Sequence, residues 1–146
     1  MARTADEMRV ADLMTIDPIT IQIDASIDEA EDLMREHRIT GLPVVDADGH
    51  LAGVISQTDL LYLALPTVQA LIRHRTHGIR VGEVMSIPAV TIDGAATLQA
   101  AARIMHSERL HRLVTVDTSG RPVGVIAAMD YVALAAEVDE SPSAIA

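Results

Sequence analysis

An ungapped internal repeat constrains this chain more than any other feature. Sliding residues 10–64 over residues 81–135, a shift of 71 positions, aligns Val10 with Val81, Met14 with Met85, Ile16 with Ile87, Thr20 with Thr91 and Ile21 with Ile92. The register continues without a slip through Ala30/Ala101, Met34/Met105, Arg38/Arg109, Leu42/Leu113, Val45/Val116, Asp46/Asp117, Gly49/Gly120, Gly53/Gly124, Asp59/Asp130 and Leu63/Leu134. A period this long means two copies of one supersecondary unit; a solenoid needs several shorter repeats. The 146 residues suffice to bury one core made of two halves.

Local signals within each copy agree with this. Val10 to Met14 reads as a short helical piece, and Pro18 stops any longer helix before a strand near Ile19–Ile23. Ser26-Ile-Asp-Glu29 has capping-box spacing, and Ile27, Ala30, Leu33, Met34 and His37 recur at helical intervals up to about Arg38. Pro43-Val-Val-Asp46 and Leu51 to Ser56 flank Ala-Asp-Gly, a strand pair joined by a tight turn. The second copy gives a strand near Val90–Ile92, a helix from Thr97 to about Glu108, strands at Leu113–Asp117 and Pro122–Ala127, and a helix from about Met129. The expected fold is α+β: two β-α-β-β-α repeats, residues 8–65 and 81–137, packed as one pseudo-two-fold module around a linker at 66–80. Residues 1–8 and the acidic stretch Glu137 to Pro142 are expected to be loose.

Composition limits the chemistry. Phe and Trp are absent and Tyr62 and Tyr131 are the only aromatic residues, so the core is aliphatic and any nucleobase must lie between Val, Ile, Leu and Met. A formal charge of −10 opposes a phosphate backbone, which excludes non-specific nucleic-acid binding. With no Cys, disulfides, thiolate metal sites and a Cys nucleophile are excluded. All eleven basic side chains are Arg, a residue suited to bidentate phosphate contacts. No run is long enough to span a membrane, and Asp6, Glu7 and Asp12 stand where a signal peptide is apolar, so a soluble cytoplasmic chain with no membrane contact is expected. In Arg73-His-Arg-Thr-His77, His74 and His77 lack a third ligand nearby, so no metal site is expected and a basic contact or a solvated face remains.

The corner of each copy carries the polar signal. Gly53-Val-Ile-Ser-Gln-Thr-Asp59 returns as Gly124-Val-Ile-Ala-Ala-Met-Asp130. A Gly followed by two β-branched residues ends a buried strand, and the Asp six residues on sits where a helix begins. Backbone donors at such a start lie free for an anion. The Ser56 and Thr58 hydroxyls suit a phosphate, and the Asp59 carboxylate suits a diol such as ribose. Capping the helix is the commoner job for the same three residues.

Two copies of a Met-ended helical piece, a Pro-containing strand, a helix, Val-Val-Asp or Val-Thr-Val-Asp, a Gly turn and Gly-Val-Ile-x-x-x-Asp resemble a pair of cystathionine β-synthase (CBS) domains. Arg38-Ile-Thr-Gly-Leu-Pro-Val-Val-Asp46 and His111-Arg-Leu-Val-Thr-Val-Asp117 stand at the expected distance before the two heptads, so the resemblance covers nearly the whole chain. It implies a stand-alone regulatory sensor that binds an adenosine-containing ligand such as AMP, ATP or S-adenosylmethionine, uses no cofactor, and reports to an unidentified partner protein. Carried over by position, Asp59 holds ribose, Ser56 and Thr58 face phosphate, His111 and Arg112 reach phosphate from the opposite repeat, and Val90 lies beside the base. Thr40 and Gly41 replace His111 and Arg112 in the first copy, and Ala127 and Met129 replace Ser56 and Thr58 in the second. The other cleft, with Thr20 and Asp130, is therefore expected to be degenerate.

No P-loop, dinucleotide fingerprint, metalloprotease helix or nucleophile elbow is present, so no catalysis is expected. The segments Leu60–Leu65 and Tyr131–Ala136 are apolar on nearly every side, which predicts a covered outer face and a homodimer, as the resemblance also implies. The alternative to a ligand sensor is a structural interaction module whose clefts are filled by side chains.

Overall fold

The computed structural model describes residues 7–73 and 78–138. The first copy contributes α1 (Val10–Leu13), β1 (Thr15–Ile16), β2 (Ile21–Gln22), α2 (Ile27–His37), β3 (Gly41–Val45), β4 (Leu51–Ser56) and α3 (Gln57–Leu63). After α4 (Pro66–Ile72) the second copy gives α5 (Val81–Val84), α6 (Leu98–Glu108), β5 (Arg112–Val116), β6 (Pro122–Ala127) and α7 (Ala128–Val138). None of these helices is long and apolar enough to cross a membrane.

Helices α2 and α6 start and stop alike. Ser26 accepts the Glu29 N–H at 3.2 Å and Thr97 accepts the Ala100 N–H at 3.0 Å, each satisfying a donor that the first turn leaves unpaired. Both end on an Arg in the left-handed region, Arg38 at φ 54° and Arg109 at φ 55°. Each hairpin, β3 with β4 and β5 with β6, is antiparallel. The hairpins turn through Gly49 at φ 85° and Gly120 at φ 88°, a region open to glycine at no steric cost. Asp46 and Asp117 brace the turns: the Asp46 carboxylate accepts from the Asp48 and His50 N–H groups at 2.9 and 3.0 Å, and the Asp117 carboxylate from those of Ser119 and Arg121 at 2.8 and 3.0 Å.

The opening segment of each copy packs on the opposite copy. Strand order is β2-β3-β4 in one sheet and β1-β6-β5 in the other, so β1 leaves its own repeat to pair antiparallel with β6. Val81 is buried among Ile21, Ala30, Met34, Leu42, Val44 and Ile55, while Val10 is buried among Leu98, Ala101, Met105, Leu113 and Ile126. The backbone follows the same exchange: Val10 donates to Ala96 at 2.9 Å and Val81 donates to Ala25 at 2.8 Å. This explains the glycine of each heptad. A Cβ on Gly53 would lie 2.7 Å from the Met85 sulfur and 2.8 Å from the Ser86 carbonyl oxygen, and one on Gly124 would collide with the Met14 sulfur.

Three expectations change. The strand near Val90–Ile92 is reduced to a single parallel bridge between Thr91 and Val114, because the Ile-Gln-Ile of β2 becomes Ile92-Asp-Gly94 here. The Asp93 carboxylate accepts the Ala95 N–H at 2.8 Å and turns the chain, and both residue types are poor strand formers. The first-copy strand is likewise only Ile21–Gln22, shorter than Ile19–Ile23. The stretch 66–80, read as a plain linker, contains α4, which Pro66 begins instead of breaking. His74 and His77 lie outside the described residues, as do residues 139–142 of the acidic stretch.

Apolar surface stays exposed on the outer helices, with Leu61 at 65% and Val132 at 56%. The expectation that these segments are covered on every side is therefore not met within one chain. The two tyrosines differ: the Tyr131 hydroxyl donates to the Leu98 carbonyl at 2.6 Å and pins α7 to α6, whereas Tyr62 is exposed on α3.

Candidate functional site

A cleft of about 590 Å³ opens between the two halves. The first half supplies Thr40, Val54, Ser56, Gln57, Thr58, Asp59 and Tyr62; the second supplies Ser86, Pro88, Ala89, Val90 and the run Arg109 to Arg112. All six residues expected around Asp59 line it: Ser56, Thr58, Asp59, Val90, His111 and Arg112. Its walls include the aliphatic Val54, Pro88, Ala89, Val90 and Leu110, and Tyr62 is its only aromatic side chain. Thr20 and Asp130 do not belong to this cleft. Thr20 is half-buried just before β2, and Asp130 stands in the first turn of α7.

Ser56 and Asp59 do cap α3, as the plainer reading held. The Ser56 N–H and hydroxyl both donate to Asp59 Oδ2, at 2.8 and 3.1 Å, and the Asp59 N–H donates back to the Ser56 hydroxyl at 3.3 Å. The Gln57 N–H donates to the Thr40 carbonyl at 2.8 Å. The idea that backbone donors stand free at this corner is corrected for three of them, because Ser56, Gln57 and Asp59 have already used theirs. The fixed charges of the site are therefore carried by side chains.

Arg112 is the half-buried cation of the site, which the exposed Arg109 also lines. Its guanidinium donates to the Thr40 hydroxyl at 2.6 Å and covers Gly41, where a Cβ would fall on the guanidinium itself. Burial pulls the Arg112 guanidinium below its ordinary value while the Asp59 charge opposes that shift. An arginine so placed keeps its charge, and partial burial strengthens its attraction for an anion. Thr40 and Gly41, which the sequence presents only as missing counterparts of His111 and Arg112, thus form the seat on which Arg112 lies.

Asp59 is the anion. Besides its capping bonds, its Oδ1 accepts the hydroxyl of Ser86 at 3.1 Å, from the opposite half. Tyr62, Thr40 and Ser86 were not among the residues expected here. Ser86 follows Met85 in the exchanged segment, so only knowledge of that exchange carries it to Asp59. The arrangement offers a cation with an adjacent imidazole at His111, a carboxylate, and an apolar wall. That is a site for a ligand with an anionic end, hydroxyls and a flat apolar part.

Elsewhere, Asp46, Asp48 and His50 gather with ligand atoms within 4.8 Å of one another. One Asp46 oxygen, Oδ1, already holds the turn, the other lies 3.8 Å from the His50 imidazole, and the Asp48 backbone carbonyl accepts from Arg121 at 3.0 and 3.2 Å across the two hairpins.

Known proteins resemble the chain over most of its length. CBSX1, a chloroplastic CBS domain-containing protein of Arabidopsis thaliana, is 31% identical over 152 residues, covering 89% of this chain and 62% of its own length. A crystal structure of CBSX2 in complex with AMP superposes with a TM-score of 0.77 at 32% identity, covering 90% of this chain and 98% of that one. The CBS domain pair of protein MJ0100, in complex with 5′-methylthioadenosine and S-adenosyl-L-methionine, gives a TM-score of 0.78 at 25% identity, covering 89% of this chain and 97% of that one. Because residues 10–65 and residues 81–137 each match the CBS domain, a span that includes both sheets and both walls of the cleft, the chain belongs to the CBS domain family as a tandem pair.

Proposed function

We propose that this CBS pair is a regulatory sensor that binds an adenine nucleotide in the Asp59 cleft and passes the binding state to a partner protein, with no catalytic step of its own. The observation that carries this reading is the meeting of Ser56, Thr58, Asp59, Val90, His111 and Arg112, drawn from both halves, around one cleft. Adenosine compounds bound by CBSX2 and MJ0100 support the ligand class. In this reading Arg112, His111 and Thr58 take the phosphate, Asp59 takes the ribose, Val90 lies against the base, and Ser56, whose hydroxyl proton goes to Asp59 instead of to a phosphate, holds that carboxylate in place. The cleft at Thr20 and Asp130 lacks equivalent phosphate ligands and stays empty or takes an uncharged group. A melting screen against AMP, ADP, ATP, NADH, S-adenosylmethionine and cyclic di-AMP tests it. A ligand at a hundred times its Kd stabilises the fold by roughly 2.7 kcal/mol. At least one adenine compound is expected to raise the midpoint. No shift from any of them at millimolar concentration would favour the structural module, a reading with one observation behind it: Asp59 and Arg112 already have partners in the protein.

The reading includes a homodimer formed through the outer faces of α3 and α7, where Leu61 and Val132 are exposed. Light scattering is expected to give twice the mass of the 15.6 kDa chain, and Leu61→Asp to reduce it. A 15.6 kDa particle at micromolar concentration rejects the dimer.

A further inference from the structure

The Asp59 carboxylate is almost fully occupied before any ligand arrives. A carboxylate offers roughly four acceptor positions. Three are used here: Ser56 N–H and hydroxyl on Oδ2 at 2.8 and 3.1 Å, and the Ser86 hydroxyl on Oδ1 at 3.1 Å. A vicinal diol needs two. The Ser56 bonds belong to the start of α3 and cannot be released without loosening that helix. Ser86 is different. Its side chain is exposed and reaches across from the opposite half, while its backbone is secured separately by a reciprocal pair with Val54 at 2.8 and 3.1 Å. Rotating one side chain therefore frees Oδ1 and leaves the seam between the halves intact.

We propose that the Ser86 hydroxyl is an internal stand-in for a ligand hydroxyl: it takes the position on Asp59 Oδ1 that the second hydroxyl of a vicinal diol needs, competes with that diol, and so sets how strongly the cleft prefers a ribose over a deoxyribose. This rests on the reading of the Asp59 cleft as a nucleotide site. Removing the competitor strengthens binding, the opposite of what loss of a ligand contact or of a structural bond does.

Titration calorimetry on the full chain and on Ser86→Ala, with AMP, 2′-deoxy-AMP and 3′-deoxy-AMP, tests the proposal. AMP is expected to bind Ser86→Ala about three- to ten-fold more tightly, the scale of one hydrogen bond no longer exchanged. Either deoxy analogue brings a single hydroxyl, which the remaining position accepts without displacing Ser86, so its affinity stays within about two-fold. Ser86→Thr, which keeps the hydroxyl, returns the wild-type affinities. Equal or weaker AMP binding by Ser86→Ala, or an equal gain for all three ligands, overturns the proposal while the site itself stands. If the wild-type chain binds none of the three, the nucleotide reading of the cleft fails and the proposal with it.

Discussion

The corner at Ser56–Asp59 and the corner at Ala127–Asp130 share one backbone and differ in their side chains. In both, the residue at the strand end donates its N–H to the Asp carboxylate at 2.8 Å, Ser56 to Asp59 and Ala127 to Asp130. In both, the next N–H bonds the carbonyl that opens the preceding hairpin, at 2.8 Å in each case. The serine hydroxyl, the threonine and the cross-half partner Ser86 belong to the first corner alone, while the second carries Ala127 and a 70% exposed Met129. What the duplication keeps is what folds the chain. What it has let diverge is most of what the proposed phosphate site uses.

The two heptad glycines test the conserved side of this comparison, with the largest effect. Gly53→Ala must move a backbone carbonyl, that of Ser86, whereas Gly124→Ala meets the Met14 and Thr115 side chains, which can rotate. Overpacking of this kind is expected to cost about 2–3 kcal/mol at Gly53 and about 1 kcal/mol at Gly124, read from chemical denaturation. A larger loss at Gly124 would show that the exchanged methionine, not the carbonyl, sets the limit.

The divergent side is tested by Asp59→Ala and Asp130→Ala. Titration calorimetry with AMP is expected to show a loss of about 1.5 kcal/mol or more, tenfold or greater, for the first and almost none for the second. Equal losses, or two nucleotides bound per chain, would break the claim that the clefts are unequal. Both aspartates hold the equivalent backbone N–H, but Asp59 also accepts the Ser56 and Ser86 hydroxyls, so Asp59→Ala should cost the fold more, and melting each variant separates that cost from the loss of binding.

The smallest effect comes from making the corners more alike. Ala127→Ser supplies α7 with the hydroxyl that caps α3, and about 0.5–1 kcal/mol of added stability is expected in a melting experiment. No gain would mean that the second corner differs in backbone as well as in side chain.

Much of this was legible in the sequence. The period of 71 residues, the Ser26 and Thr97 caps and the hairpin glycines gave the elements, because each is a local signal. Of the six cleft residues, Ser56, Thr58 and Asp59 were legible as polar groups at a strand-to-helix corner, and Val90, His111 and Arg112 only through the resemblance to CBS domains. The exchange of α1 with α5 was not. Val10 aligns with Val81 whether each fills its own core or the other's, so a symmetric swap leaves no trace in the alignment. For the same reason Ser86 and the seat at Thr40 and Gly41 went unseen, since their partners lie across the exchange. The helix at Pro66 was hidden because 66–80 was read as a linker, although proline is well suited to the first position of a helix.

That exchange bears on how the chain comes into being. Val10 is bonded to Ala96 and β1 to β6, so a chain emerging from its N-terminus presents these elements long before the sheet that receives them has been made. The first half in turn waits for Val81 to complete its core. Contacts so distant in sequence slow folding and tie it to completion of the chain. Neither repeat is then a unit that folds by itself: the pair forms together, and a cut between Ile72 and Ile79 should leave the two pieces clasped.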